Sequence, residues 1–253
     1  MSWFDPVRCA LDERTDPCVL FFRDDDAGRD DDRLAAMLDA FSRHRVGVDV
    51  AVIPALVGRS LAAALRIRID AGGVRVHQHG LAHVNHETSG RKHEFGSSRG
   101  LDQQAADVSA GRRLMLHWFG EERVEPVFTP PWNRCTADTG RALLDNALPV
   151  LSRDHTAVPL ALPCLTEVPI TLDWFGHRRG VRWTPAELAA QLADQVRGED
   201  PVGVMLHHAV TDDNELARVD ELLALVSGHP WVRLSSIAEL AGVTVGDRSG
   251  GPS

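Results

Sequence analysis

What the chain lacks narrows its identity first. None of its apolar runs approaches the about 20 residues that a membrane-spanning helix needs. Basic residues are not in excess: Lys and Arg number 27 against 36 Asp and Glu, a net charge of −9. The footprint of a nucleic-acid binder is therefore missing, and an acidic surface repels anionic membranes. Cysteine is sparse. The four, at positions 9, 18, 135 and 164, show no CxxC spacing, and they are expected as packed thiols, with Cys18 and Cys164 filling core. The N-terminus lacks the apolar stretch of a signal peptide, so a cytoplasmic location is expected. Neither repeat nor linker interrupts the sequence. Residues 1–245 are expected to form a single domain and the Gly/Ser-rich 246–253 a disordered tail.

What is present is a 253-residue chain, 43% hydrophobic, in which short apolar runs alternate with amphipathic ones. Residues 18–22, 46–53, 74–78, 127–129, 148–152, 166–172, 202–206 and 231–234 read as strands. Helical faces lie between them: Leu34, Met37, Leu38 and Phe41 share one, and Leu61, Leu65 and Ile69 another. Further helices are expected over 101–119, 136–144 and 216–226. Thr184-Pro185-Ala186-Glu187 is a capping box with proline in the first turn. Alternating strands and helices predict an α/β fold, a distorted (β/α) barrel of about seven parallel strands.

The chemically suggestive groups follow strands: Asp24-Asp25-Asp26 after the first, His77 to His83 after the third, Pro130-Pro131-Trp132 after the fourth, and His207-His208 after a late one. In a parallel barrel all these ends open on one face. His79 and His83 at i and i+4, with a distant carboxylate, are the ligand types of a catalytic zinc site with an open position. Asp26 is the expected third ligand and Asp25 the expected base, with the register within the triplet open; Asp24 is expected in solvent. A strand turns only one of His207 and His208 inward, and His207 is favoured. His77 is expected as a hydrogen-bonded strand residue. The polar stretch 84–100 reads as a long loop over the site, with His86 and His93 on its surface or touching substrate, and Glu94 and Arg99 as a surface pair.

The ordered set Asp25-Asp26, His79-Gly80-Leu81-Ala82-His83, Thr129-Pro130-Pro131-Trp132 and Leu206-His207 resembles the polysaccharide deacetylase (NodB-homology) family over residues 18–235. The resemblance implies a NodB-like distorted barrel and metal-dependent removal of an N- or O-acetyl group from a carbohydrate or a small acylated precursor. It also implies zinc or another divalent metal on Asp26, His79 and His83, Asp25 as base, His207 as acid, and Trp132 and Pro131 at the substrate. The Trp132 N–H would support the oxyanion. Two motif positions depart: Thr129 stands for the family's arginine and Trp132 for its tyrosine. The arginine orients the catalytic aspartate in the family, so another (Arg23, Arg99 or Arg134) is expected beside Asp25. Asp173 is expected either to orient His207 or to close a strand-end turn, and Trp174 is expected to pack. Two rivals remain: a non-catalytic sugar-binding relic, motivated by the missing arginine, and an amidohydrolase-type barrel built on His77-Gln78-His79.

Overall fold

The computed structural model describes residues 2–178, 181–198 and 201–243. The 246–253 tail lies outside the described residues. Nine strands form one sheet whose named pairings are all parallel. They are β1 (Cys18–Ala27), β2 (Val48–Val52), β3 (Val74–His79), β4 (Val124–Thr129), β5 (Val150–Leu151), β6 (Thr166–Glu167), β7 (Leu172–Asp173), β10 (Val202–Leu206) and β11 (Val232–Leu234), with the short antiparallel hairpin β8 (His177–Arg178) and β9 (Val181–Arg182) apart. The order is β6-β5-β4-β3-β2-β1-β10-β7, with β11 also on β1. The sheet curls into a distorted half-barrel. Its two ends approach through one stretch of chain: β6 pairs with β5, Ile170 bridges Asp154, Thr171 N–H donates to the Gly203 carbonyl at 2.8 Å, and β7 pairs with β10. The strand expected over 166–172 is thus split into β6 and β7, and the chain passes from one neighbour to the other between Ile170 and Thr171.

Eight helices accompany the strands among the described residues: α1 (Asp5–Asp12), α2 (Asp31–His44), α3 (Arg59–Asp70), α4 (Leu101–Phe119), α5 (Ala137–Asp145), α6 (Pro185–Arg197), α7 (Asp213–Gly228) and α8 (Ile237–Leu240). The capping box at Thr184 and Glu187 forms, and Thr136 caps α5 with Thr139. The first helix was not expected from the sequence; it buries Val7, Ala10 and Leu11.

Alternation along the strands decides what each wall faces. Leu20 and Phe22 of β1, Val48, Val50 and Val52 of β2 and Val202, Val204 and Leu206 of β10 join the apolar layer under the helices. Phe21, Val127, Val150 and Met205 meet Ile237 and Ala238 of α8 in a separate cluster inside the curl. Gly203 makes room there: a Cβ would stand 2.3 Å from the Phe21 ring. Above this apolar floor the interior becomes polar, and the site begins. The cysteine expectation holds for Cys18, which is buried, and fails for Cys164, exposed on the loop before β6, and for Cys9, exposed on α1; Cys135 is half-buried.

Candidate active site

Arg23 and Asp25 are two apart on β1 and so face the same way, into the barrel. Arg23 is wholly buried and Asp25 nearly so. The guanidinium grips the carboxylate at both oxygens, Nε to Oδ1 at 2.8 Å and Nη2 to Oδ2 at 2.9 Å. Its remaining donors reach Ser152 Oγ at 2.9 Å and Asn133 Oδ1 at 2.6 Å. Burial alone would raise the Asp25 carboxyl; Arg23, then His79 and His207, override it and hold the group below the usual carboxylate range. The arginine expected beside Asp25 is therefore Arg23. Strand alternation from Asp25 would have singled it out.

Asp24 faces the other way and is fully buried, which corrects the solvent expectation. It accepts from His208 twice, from the backbone N–H at 3.0 Å and from Nδ1 at 2.6 Å, while His208 Nε2 donates to the Arg29 carbonyl at 2.7 Å. Burial works against a charge on His208, but Asp24 outweighs it and lifts the imidazole to about 9. This buried pair ties the ends of β1 and β10 together. It leaves His207 on the inner side, 27% exposed, with Nε2 4.0 Å from Asp25 Oδ2.

Asp26 departs from the alternation. The β1–β2 register shifts between Asp24 and Ala27, and Asp26 takes a left-handed φ of 75°. Such a conformation costs a non-glycine residue about 1–3 kcal/mol. It turns the carboxylate to where His79 Nε2 lies 3.2 Å and His83 Nε2 3.1 Å from Oδ1. The three ligand atoms lie within 4.8 Å of one another. Burial would raise Asp26, but hydrogen bonds from both imidazoles drive it far below its ordinary range; the same pairing raises His79 against the effect of burial.

The donor set suits a divalent metal. His79 Nδ1 lies 3.0 Å from the Thr129 carbonyl, which can only accept, so Nδ1 carries a proton, and Nε2 can ligate once it gives up the proton it shares with Asp26. His83 needs an adjustment: its Nδ1 lies 3.3 Å from Arg29 Nη2, which can only donate. Ligation through His83 Nε2 therefore requires the proton to move to Nδ1 and Arg29 to withdraw. His77, also inward, sits with Nε2 2.8 Å from Thr129 Oγ1 and outside the cluster; burial, then Arg23, push it down to about 3, so it is neutral.

The turn that carries His83 is held by Glu94. This residue is buried and accepts from Leu81 N–H at 3.2 Å and Ala82 N–H at 2.8 Å. Arg99 pairs instead with Asp107, so the expected Glu94–Arg99 surface pair does not form. Gly80, at φ 59°, is required beneath: a Cβ would stand 2.0 Å from Glu94 Oε2 and 2.7 Å from the Pro131 ring. Nothing in the residue types of 84–100 marked Glu94 for this task. Pro131 is buried; Trp132, at φ 57° and half-buried, sets its ring 4.4 Å from that of His83. The turn bonds run from Asn133 N–H to Pro130 and Arg134 N–H to Pro131, leaving the Trp132 N–H outside them. His86 is exposed and His93 half-buried, its Nδ1 2.8 Å from the Arg91 carbonyl. Asp173 accepts from Phe175 N–H, and Trp174 packs into the core.

No family model matches the chain, and no curated protein matches it in sequence. Solved structures do match in fold. A protein assigned as a polysaccharide deacetylase from Mycobacterium smegmatis superposes with a TM-score of 0.70 at 14% identity, covering 91% of each chain. A family 4 acetyl xylan esterase from Clostridium thermocellum, solved with a cobalt ion, gives 0.58 at 16% identity over 90% of this chain and 93% of that one. A family 4 carbohydrate esterase pseudoenzyme from Bacillus anthracis gives 0.58 at 13% identity, over 90% of this chain and 66% of that one. The fold is that of the polysaccharide deacetylases and family 4 carbohydrate esterases, and this chain is a divergent example of it. At these identities the likeness speaks for the fold; the chemistry rests on the residues.

Proposed function

We infer that the protein is a metal-dependent deacetylase acting on an N-acetyl or O-acetyl group of a carbohydrate or carbohydrate precursor. One observation carries the reading: an ionised, arginine-clamped Asp25 adjoins the Asp26, His79 and His83 cluster, with His207 4.0 Å away. When bound by those three residues, a divalent ion, zinc by preference, supplies Lewis-acid polarisation of the acyl carbonyl and acidifies water. Asp25 accepts the proton of the attacking water. The Trp132 N–H, left out of its own turn, donates to the oxygen where negative charge develops. His207 protonates the leaving nitrogen or oxygen. Trp132 offers a flat wall to a sugar ring, with Pro131 beneath it.

The Arg23–Asp25 clamp removes the ground for a binding relic, which was the missing arginine at position 129. His77 outside the cluster likewise weakens the amidohydrolase reading. The test is acetate release from a panel of acetylated sugars, with and without chelator. His207→Ala should slow amides more than activated esters, whose leaving groups need little protonation. Equal loss on both, or no metal-dependent release from any substrate, would turn the account toward a binding protein.

A further inference from the structure

Two working parts of the site come from distant strands. The Arg23–Asp25 clamp is on β1, and the turn that carries Trp132 follows β4, with β2 and β3 between them in the sheet. Asn133 joins the two. Its side chain reaches Arg23 Nη2 at 2.6 Å, and since a guanidinium can only donate, the amide oxygen takes this bond. Arg23 Nη2 carries two hydrogens, so it serves Asp25 Oδ2 at 2.9 Å and Asn133 Oδ1 together. The Asn133 Nδ2 group turns to β10, 3.3 Å from Met205 Sδ. Both ends of the amide are thus held.

The backbone beside this bond is strained. Trp132 and Asn133 are both left-handed, at φ 57° and 58°. Asparagine adopts that region readily; a bulky aromatic does not. The turn's own bonds run from the Asn133 and Arg134 N–H groups and leave the Trp132 N–H out. Arg134 also anchors the turn, but at an exposed carbonyl, that of Lys92 at 3.1 Å. Asn133 instead bonds a buried charged group, and charge-assisted bonds are the stronger kind. That bond offsets the cost of the left-handed pair. Released from it, Trp132 would relax toward negative φ and swing both its N–H and its ring, which now lies 4.4 Å from that of His83.

We propose that Asn133 is a positioning residue: through Arg23 it fixes the Trp132 N–H, the donor to the acyl oxygen, relative to Asp25, the base. The part in turnover rests on the deacetylase reading; the hold on the turn does not.

The test compares Asn133→Gly with Asn133→Asp. Glycine leaves the left-handed backbone open and removes the side chain, while aspartate keeps an acceptor for Arg23. In metal-free Asn133→Gly the amides of positions 133 and 134 should exchange hydrogen about tenfold faster by NMR, the worth of one hydrogen bond, while thermal unfolding stays cooperative. Asn133→Asp should exchange as the wild type does. Turnover is read on metal-loaded protein with an aryl acetate, which has no sugar to meet the Trp132 ring. Asn133→Gly should lower kcat about tenfold or more and leave KM within about twofold, since a misplaced donor is missed only where charge develops. Acetylated sugars should show the same loss of kcat, because amides and esters both develop that charge; His207→Ala, by contrast, spares activated esters. Asn133→Asp should recover most of the loss, because the bond to Arg23 is kept. Unchanged exchange in Asn133→Gly overturns the proposal. So does faster exchange with kcat intact, a loss confined to KM, or an Asn133→Asp protein as impaired as Asn133→Gly. A wild type that turns over no substrate sinks the deacetylase reading instead, and exchange alone then decides whether Asn133 holds the turn.

Discussion

Asp25 and Asp49 lie on adjacent strands, both inside the barrel and both buried, and their carboxyl groups behave oppositely. Burial raises each. At Asp25 the clamp of Arg23 overturns that effect and keeps the group charged. At Asp49 the opposing partners are weaker, chiefly Ile237 N–H at 3.0 Å from Oδ2, and the carboxyl is pushed up to about 7. Position and burial do not make a carboxylate chemically useful; the neighbour does. The upper end of the barrel joins a charged acid to a candidate metal site, while the lower end seats α8 on an acid whose ionisation is pushed up to about pH 7.

The largest effect should separate the two ends outright. His79→Ala or His83→Ala should abolish metal retention, whereas Asp49→Asn should leave it unchanged, as elemental analysis of chelator-free preparations will tell. Full metal in both histidine variants would dissolve the distinction. Next, Arg23→Met strands Asp25 as a buried unpaired charge and should cost about 3–5 kcal/mol in urea unfolding. Adding Asp25→Asn should return part of it; a loss below about 1 kcal/mol, or no recovery, would show that the clamp does not govern Asp25.

Asp49 sharpens the comparison through pH. Its folded-state pKa of about 7 exceeds the ordinary 3.8, so the folded chain holds a proton that the unfolded chain releases. Its contribution is full below the ordinary value and is lost as pH rises through about 7, on the order of 4 kcal/mol between the limits. Asp25, depressed in the fold, acts in reverse: its contribution is present above the ordinary value and lost as pH falls. Asp49→Asn should therefore flatten the decline of stability between about pH 4 and 7; an unchanged slope there would contradict the assignment. The smallest effect belongs to Glu94→Gln. One oxygen acceptor on the His83 turn is replaced by a donor, and metal affinity should fall about tenfold with the fold intact. Unaltered affinity would reduce Glu94 to a loop anchor.

How much of this could be read from residue order varies with the physics involved. The barrel was legible because short apolar runs such as 18–22 alternate with helices that carry clear faces and caps; that Leu20 and Phe22 face one apolar layer and Phe21 the other is seen only in the fold. The clustering of the Asp26, His79 and His83 positions was legible because strand ends in a parallel barrel share a rim. Asp24 was misread because three adjacent acids look solvated, and its partner His208 lies 184 positions away. Glu94 was misread for the same reason: only the fold brings it under the backbone of Leu81 and Ala82. Arg23 was left among three arginines although alternation with Asp25 pointed to it. Cys164 sat in an apolar run that forms a loop rather than a strand.

The central claim is that Asp25, held ionised by Arg23, takes a proton from water beside the metal cluster. The direct measurement is acetate release by wild type and Asp25→Asn at matched metal content, on acetylated sugars and on activated esters. The account predicts that Asp25→Asn keeps its metal and loses turnover, because asparagine cannot accept the proton. A wild type no faster than Asp25→Asn on every substrate would contradict it.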